Sequence, residues 1–257
     1  MFQLKRLLFP VDFSERSRRS SVYVEAIAHH FGAELILLHV VEPPVYNAPL
    51  GDAHAEGFDT FFGDRLRHLR VKRLIEHGDA AIKIVQSAAH NSVDLIMMPT
   101  QGMGIYRRLI LGSTTAKVLH DADCPVWTGV HLENAPAPSK IHYERICCAV
   151  DLKPQSVKAL DWAHHFAEEY GAELTLVHAG RSDSATKALA DLQETVGSNA
   201  VVRVRDGEPA NVVASLTAQL DPDLLVIGRG AESGFLGRLE ATAYSIIRRS
   251  HCPVVSV

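Results

Sequence analysis

The sequence predicts an α/β fold made of two tandem domains, each with a doubly wound, five-stranded parallel sheet. Three observations support this prediction. The chain repeats itself at an offset of 139 residues. Within each copy, short apolar segments alternate with segments of helical periodicity. The apolar segments also lack the polar alternation of a sheet with one face in water. Strands that alternate with helices form right-handed βαβ units, and such units build parallel sheets.

The internal repeat is a duplication with loop deletions. A shift of 139 residues places Leu7–Val40 on Ile146–Ala179. Ten of these 34 positions are identical: Val11/Val150, Asp12/Asp151, Ser17/Ser156, Ala28/Ala167, Gly32/Gly171, Ala33/Ala172, Glu34/Glu173, Leu35/Leu174, Leu37/Leu176 and His39/His178. Later the offset falls to 129, where Asp94-Leu95 aligns with Asp223-Leu224, and to 128 near the end. We therefore predict a first domain at 1–133, a Pro-rich linker at 134–140 and a second domain at 141–257.

Both copies predict the same elements in the same order. The predicted strands are Leu7–Val11, Leu35–Val40, Val71–Glu76, Leu95–Met98 and Pro125–Val130, then Ile146–Val150, Leu174–Ala179, Ala200–Arg205, Leu224–Ile227 and Pro253–Val257. The first helix of each copy has apolar residues at i, i+3, i+4 and i+7: Val24, Ile27, Ala28 and Phe31, then Ala163, Phe166, Ala167 and Tyr170. Gly32 and Gly171 follow these helices as expected C-caps. We also expect helices near Phe58–Leu69 and at Ser184–Val196.

The composition excludes several classes of protein. A net charge of −4 gives no basic field for nucleic acid, and no apolar run approaches the roughly 18 residues of a membrane span. Pro10 and Asp12 interrupt the apolar N-terminal segment, so we interpret it as a strand and not as a signal peptide. The four cysteines show neither zinc-ligand spacing nor a disulfide pattern. We therefore expect a cytoplasmic protein in a reducing compartment that contacts neither nucleic acid nor membrane.

Several segments resemble the universal stress protein family. Leu8–Glu15 (LFPVDFSE) is similar to the opening strand and turn of that family, and Leu37–Val40 (LLHV), Gly112-Ser113 and Cys124–Val126 (CPV) are similar to later segments. The resemblance covers nearly all of both copies and is weakest across residues 45–70. It implies a fold like that of the adenine nucleotide alpha hydrolases, with strand order 3-2-1-4-5. In such a sheet, ligands bind at the switch point between the first and fourth strands.

The nucleotide-binding members of that family carry Gly-x-x-Gly, nine residues, and then Gly-Ser or Gly-Thr after the fourth strand. Gly102 and Gly112-Ser113 match the second glycine and the Gly-Ser pair, while Pro99 replaces the first glycine. A glycine lets a phosphate approach the main chain closely. The free N–H groups at the start of the following helix would face an anion.

The resemblance implies one adenine nucleotide site, in the first copy, for ATP or a relative with or without Mg²⁺. Asp12 would bond the ribose, and the backbone of Val40 would read the adenine edge. The phosphates would contact the segment that contains Gly102, Gly112, Ser113, Thr114 and Thr115. The second copy keeps Gly228 but has Ala231 and Ala241-Thr242 at the other positions. We therefore expect its site to be degenerate.

Structural readings of the same residues stay open. A strand-ending Asp before Ser is also an ordinary start of a helix, so Asp12 alone does not establish a ligand. Ser113 would equally serve as a plain N-cap, and Pro99 removes one backbone donor. His39 and His178 align, yet each ends an apolar strand, where a hydrogen-bonded structural histidine is expected, so we predict no metal site.

The leading hypothesis is a stress-response regulatory protein that is not an enzyme. The sequence has no Ser-His-Asp set, HExxH motif, Walker A lysine or CxxC motif. A nucleotide-independent scaffold or interaction module is the alternative, and a slow ATPase ranks below both. The resemblance also implies that the copies pair within the chain through Pro125–Val130 and Pro253–Val257, which would otherwise be exposed apolar edges. A homodimer through another surface stays open.

Overall fold

The computed structural model describes residues 2–42, 53–100, 111–129, 136–230 and 241–257. The chain divides into two compact units: Gln3–Ile141, here the first domain, and His142–Val257 together with Phe2, here the second domain. Residues 136–140 are the described part of the predicted linker, and Pro138–Lys140 form a turn of 3₁₀ helix. Residues 134 and 135 lie outside the described residues.

In the described part of the first domain, five parallel strands form a sheet in the order β3-β2-β1-β4-β5. They are β1 (Arg6–Pro10), β2 (Glu34–Val41), β3 (Arg70–His77), β4 (Leu95–Pro99) and β5 (Val126–Gly129). Leu7, Leu8 and Phe9 are consecutive on β1, and all three are fully buried. Both faces of the sheet are therefore covered at its centre, as parallel sheets require.

The described part of the second domain repeats this arrangement with five parallel strands in the order β8-β7-β6-β9-β10. They are β6 (Arg145–Val150), β7 (Glu173–Ala179), β8 (Val201–Arg205), β9 (Leu224–Ile227) and β10 (Val254–Ser256). The α/β fold class and the strand order 3-2-1-4-5 are thus confirmed in both domains. The strand bounds agree with the predicted ones to within one residue at each described end.

The last strand of each domain begins one residue later than predicted. Pro125 and Pro253 precede β5 and β10 because proline has no N–H to donate to a ladder. Their carbonyls still accept hydrogen bonds from the N–H groups of Ile96 and Leu225, at 3.0 Å in both cases. Val130, the predicted end of the first of these strands, lies outside the described residues.

Helices separate the strands in both domains. They are α1 (Glu15–Phe31), α2 (Ala53–Phe62), α3 (Ala80–His90) and α4 (Ser113–Asp121), then α5 (Gln155–Tyr170), α6 (Ser182–Val196), α7 (Pro209–Leu220) and α8 (Ala241–Arg249). The predicted apolar stripes face the core, except that Phe31 is only half-buried. Gly32 and Gly171 end α1 and α5 with φ of 59° and 64°. Both are therefore the left-handed C-caps that were predicted.

Helix α2 lies earlier in the chain than the predicted helix at Phe58–Leu69, which is wrong in its bounds. The helix ends at Phe62 because Gly63 takes a left-handed φ of 55° and donates to the carbonyl of Asp59 at 2.8 Å. Residues 64–69 then form turns that lead into β3. The corresponding helix of the second domain, α6, has the predicted end and stops before Gly197, whose φ is 76°.

A repeated carboxylate ties the start of the first strand to the start of the fourth strand in each domain. Oδ2 of Asp94 accepts the N–H groups of Lys5 and Arg6 at 2.7 and 2.8 Å. Oδ2 of Asp223 accepts those of Glu144 and Arg145, both at 2.9 Å. These contacts satisfy backbone donors at the sheet's amino edge and explain why the Asp-Leu pair recurs in the duplication.

All four cysteines are free thiols. Burial raises the pKa of the Cys147 thiol to about 12 and that of Cys252 to about 11. Both thiols are therefore protonated and unreactive at neutral pH. Within the described ranges, none of the helices has the length and hydropathy of a membrane-spanning segment.

Replacing either repeated carboxylate should destabilise its own domain. We expect Asp94→Ala to lower the free energy of unfolding of the first domain by about 1–3 kcal/mol, because two backbone donors lose a charged acceptor. Asp223→Ala should do the same to the second domain. Each domain contains one tryptophan, Trp127 or Trp162, so urea unfolding followed by fluorescence in single-tryptophan backgrounds separates the two transitions.

Asp64→Ala is the matched control, because the pair of Asp64 with Arg67 at 2.7 Å is three-quarters exposed on both sides. Such surface pairs contribute under about 1 kcal/mol. Equal unfolding free energies for Asp94→Ala and Asp64→Ala would contradict the role given to Asp94.

Candidate functional site

Asp12 follows β1 and organises the turn into α1. Its Oδ1 accepts the N–H of Ser14 at 3.0 Å and the hydroxyl of Ser17 at 2.5 Å. The Ser14 hydroxyl in turn caps α1 by accepting the Ser17 N–H at 3.2 Å. The structural role expected for Asp12 is therefore real, and it uses only one carboxylate oxygen. Oδ2 has no hydrogen-bond partner among the described residues, and the side chain is half-exposed.

Phe13 is the residue of this turn that sequence reasoning missed. Its φ is 57°, a left-handed conformation that is costly for a residue with a side chain. Its ring packs against those of His39, Phe58 and Phe61 at centroid distances of 4.6, 5.4 and 5.5 Å. Phe58 and Phe61 lie on α2. The conformation could not be predicted from the sequence, because its supports come from a helix some 45 residues away.

His39 is a structural residue of this cluster. Its Nδ1 donates to the carbonyl of Val11 at 2.7 Å, and in the second domain His178 repeats the contact with Val150 at 2.9 Å. The matching bonds fit the structural reading of these two histidines. Among the described residues there is no group of three or more potential metal ligands.

The backbone of Val40 faces the space beyond the end of β1. The carbonyl of Leu38 accepts the N–H of Val11 at 2.8 Å, so the backbone groups of Leu38 face β1. Alternate residues of a strand direct their backbone groups to the same side, so those of Val40 also point that way. Since β1 has ended at Pro10, none of the described strands meets them there.

The first turn of α4 begins at the end of β4. Gly112 is the N-cap, with φ of −62°, and it makes no side-chain cap hydrogen bond. Ser113 is therefore the first helical residue and not the N-cap that was considered. The N–H of Gly112 donates to the carbonyl of Thr100 at 2.8 Å, which holds this helix end against the end of β4. Ser113 is exposed and Thr114 half-buried, so both hydroxyls can meet a ligand.

Thr115 has a different role from Ser113 and Thr114. Its side chain is 2% exposed, and its hydroxyl donates to the carbonyl of Pro99 at 3.1 Å. That hydroxyl fixes α4 to β4, so its single proton is already used. Pro99, which stands where the family pattern has glycine, is the last residue of β4. Gly102 lies outside the described residues.

Three of the predicted elements meet at one edge of the first domain's sheet. β1 lies between β2 and β4 and is parallel to both, so the carboxyl ends of these strands share an edge. Asp12, the backbone of Val40 and the first turn of α4 all lie at that edge. The arrangement places a carboxylate and the positive end of a helix at the switch point of the sheet.

The second domain has the same turn, but a lysine pairs with the carboxylate that holds it. Oδ1 of Asp151 accepts the N–H of Lys153 and the hydroxyl of Ser156, both at 3.0 Å. Leu152 takes a φ of 63°, as Phe13 does in the first domain. Nζ of Lys153, however, lies 3.2 Å from Oδ2 of Asp151. Lys153 aligns with Ser14, so comparing the two copies could have found this difference.

The environment of Asp151 favours its charged form. Burial opposes ionisation, but the hydrogen bonds from the N–H of Lys153, the hydroxyl of Ser156 and the Lys153 ammonium outweigh it, and the pKa lies below 3.8. The crevice beside it is lined by Ser156, Gly228 and Thr242 among others, and its volume is about 70 Å³. Ligand pockets commonly measure about 300–1,000 Å³, so the described part of this crevice is smaller than a usual ligand pocket. Residue 231 lies outside the described residues.

Comparison with known proteins identifies the family. The family model of the universal stress protein family matches residues 3–128, 142–196 and 179–257. A universal stress protein of Thermus aquaticus is 32% identical over 134 residues, which are 48% of this chain and 96% of that protein. One from Mycolicibacterium smegmatis is 25% identical over 292 residues, covering 98% of this chain and 96% of its own length.

A solved structure supports the same fold. The crystal structure of a universal stress protein from Archaeoglobus fulgidus matches with a TM-score of 0.76 and 23% identity, covering 99% of this chain and 96% of that one. The repeated model matches and the full-length relative agree with the duplication found in the sequence. The chain therefore belongs to the universal stress protein family and carries that family's domain twice in tandem.

Proposed function

We propose that this chain is a stress-response regulatory protein that binds one adenine nucleotide, ATP or a relative, in the crevice of its first domain. The observation that carries the proposal is the difference between two otherwise matching turns. Asp12 keeps Oδ2 available, whereas Lys153 occupies Oδ2 of Asp151. The two turns share the hydrogen bonds to Oδ1 and differ at Oδ2, the oxygen that a ligand would use, and this difference supports a ligand in the first domain.

The polar groups at the carboxyl edge of the first domain's sheet suit the ribose, the adenine and the phosphates of a nucleotide. A carboxylate oxygen accepts hydrogen bonds from ribose hydroxyls, and such charge-assisted bonds are strong. Free backbone groups at Val40 suit the donor and acceptor pattern of an adenine edge. The uncapped N–H groups of the first turn of α4, with the hydroxyls of Ser113 and Thr114, suit phosphate oxygens or a phosphate-bound Mg²⁺.

We expect the protein to bind its nucleotide without hydrolysing it. None of the described residues at this edge is placed as a base for attacking water: Oδ1 of Asp12 holds the turn, its Oδ2 is assigned to the ribose hydroxyls, and Nδ1 of His39 donates to the Val11 carbonyl. The four free cysteines support a reducing, cytoplasmic location. The alternative function, a nucleotide-independent scaffold, shares the fold and differs in having no nucleotide in the first domain.

Replacing Asp12 should weaken nucleotide binding while the matching change in the second domain should not. We expect Asp12→Ala to raise the dissociation constant for ATP by about 10- to 100-fold, because a charged acceptor is lost. Asp151→Ala removes the equivalent helix-start bonds and serves as the matched control. Isothermal titration calorimetry measures both, and equal effects of the two variants would contradict the proposed site.

A bulky residue at the start of α4 should block the phosphates. Gly112 has ordinary backbone angles, so Gly112→Val keeps a conformation that any residue adopts while its branched side chain crowds the helix end. We expect no measurable ATP binding in the same calorimetry and a melting temperature within a few degrees of the wild type. Retained affinity would show that the phosphates do not lie at this helix end.

The Asp151–Lys153 pair should give the second domain a specific acid sensitivity. Because the pKa of Asp151 is below 3.8 in the folded protein, its carboxylate stabilises the domain above that pH, and the contribution is lost as pH falls through the lower, folded value. Asp151→Asn should therefore destabilise the second domain at pH 6, and its difference from the wild type should shrink as the pH falls below the ordinary pKa of an aspartate. Urea unfolding followed through Trp162 measures this, and a difference that does not change with pH would contradict it.

A further inference from the structure

Helix α2 carries a glycine in its interior at the place where Phe13 packs. An interior helix glycine costs about 1 kcal/mol relative to alanine, so the position calls for a reason. A Cβ placed on Gly57 would lie 3.0 Å from Cζ and 3.2 Å from Cε2 of Phe13. The ring of Phe13 therefore packs closely on the backbone of α2, and a side chain at Gly57 would require the ring to shift by a few tenths of an ångström.

The ring of Phe13 has little freedom to move away from Gly57. Phe58 and Phe61 contact it from the same helix, and His39 contacts it from β2. Helix α2 is itself fixed to α1, because Arg18 donates to the carbonyl of Phe61 at 2.7 Å and its guanidinium lies 4.3 Å above the Phe61 ring. A methyl group at Gly57 would thus displace Phe13 and not merely rotate a loose side chain.

A displacement of Phe13 reaches Asp12 through the backbone. Phe13 lies between Asp12 and Ser14, and its left-handed conformation is what returns the Ser14 N–H to Oδ1 of Asp12. That conformation costs roughly 1–2 kcal/mol for a residue with a side chain, so it depends on the contacts that hold the ring. A shift of the Phe13 backbone would therefore change the direction of the carboxylate.

We infer that Gly57 is a positioning residue: through its contact with the Phe13 ring, α2 sets the orientation of Asp12 for its ligand. This inference rests on the proposed nucleotide site and adds to it a residue that touches no ligand. It assigns a function to the segment between β2 and β3, in which the two copies differ most. The second domain holds the same turn with Leu152 at the left-handed position, so a leucine there is compatible with the turn.

The test is a pair of substitutions that create and then relieve the clash. Gly57→Ala should raise the dissociation constant for ATP about tenfold, a size usual for coupled contacts. It should not lower the melting temperature by more than a few degrees, because alanine favours the helix. The double variant Gly57→Ala with Phe13→Leu should return the dissociation constant to within about threefold of that of Phe13→Leu alone. Thr60→Ala, an exposed change on the same helix, is the matched control and should leave the affinity unchanged.

A second readout does not depend on nucleotide binding. The amide proton of Ser14 donates to Asp12, so its NMR shift should move upfield in Gly57→Ala and recover in the double variant. If the wild type binds no ATP, the proposed function fails while the Ser14 shift still decides the positioning role. An unchanged Ser14 resonance, or a loss of affinity that Phe13→Leu does not relieve, would overturn the inference.

Discussion

The turn that follows the first strand of each domain is held by a single carboxylate. In both domains its Oδ1 accepts the N–H two residues later and the serine hydroxyl five residues later, at Asp12 and Asp151. The intervening residue of each turn is left-handed, and the bonds fix the start of the first helix of each domain. The direction of that helix, its packing on the sheet and the shape of the carboxyl edge all follow from this turn.

The same turn has a different role in each domain. In the first domain the second oxygen of the carboxylate stays available beside the uncapped start of α4. In the second domain Lys153 neutralises it, and the crevice beside it is small. An ion pair of this kind is a modest structural contact, yet it replaces the acceptor that a hydroxyl-bearing ligand would need. Duplication followed by one charged substitution is enough to make the two crevices unequal in chemistry.

Much of the fold could be predicted because its signals are local or repeated. The apolar strands, the C-capping Gly32 and Gly171 and the duplication itself are visible in the printed sequence, and the strand bounds agree with the structure to within a residue. The extent of α2 was predicted wrongly: Gly63 ends this helix in the same left-handed conformation as Gly32 and Gly171, and the predicted helix ran past it. Asp12 and Val40 lie at the edge of the sheet where they were expected, and their contact with a ligand stays a prediction.

The remaining details of the site depend on contacts between distant segments. Thr115 was grouped with the phosphate-contacting residues, but its hydroxyl is used by the Pro99 carbonyl. Neither Phe13 nor Gly57 was identified from the sequence, because the role of each follows from its contact with the other. Gly57 also lies in the segment where the family resemblance is weakest. Hydroxyl-bearing residues at a helix start look alike in sequence, and only packing shows which of them face solvent.

Native mass spectrometry of the intact chain in the presence of ATP tests most directly whether only one of the two domains binds a nucleotide. We expect a single nucleotide adduct per chain because, among the described residues, the first domain has both a carboxylate oxygen without a partner and an uncapped helix start, whereas Lys153 pairs with Asp151 in the second. A spectrum with no adduct at millimolar ATP would contradict nucleotide binding and favour a scaffold. Two adducts of equal occupancy would contradict the inequality of the two domains.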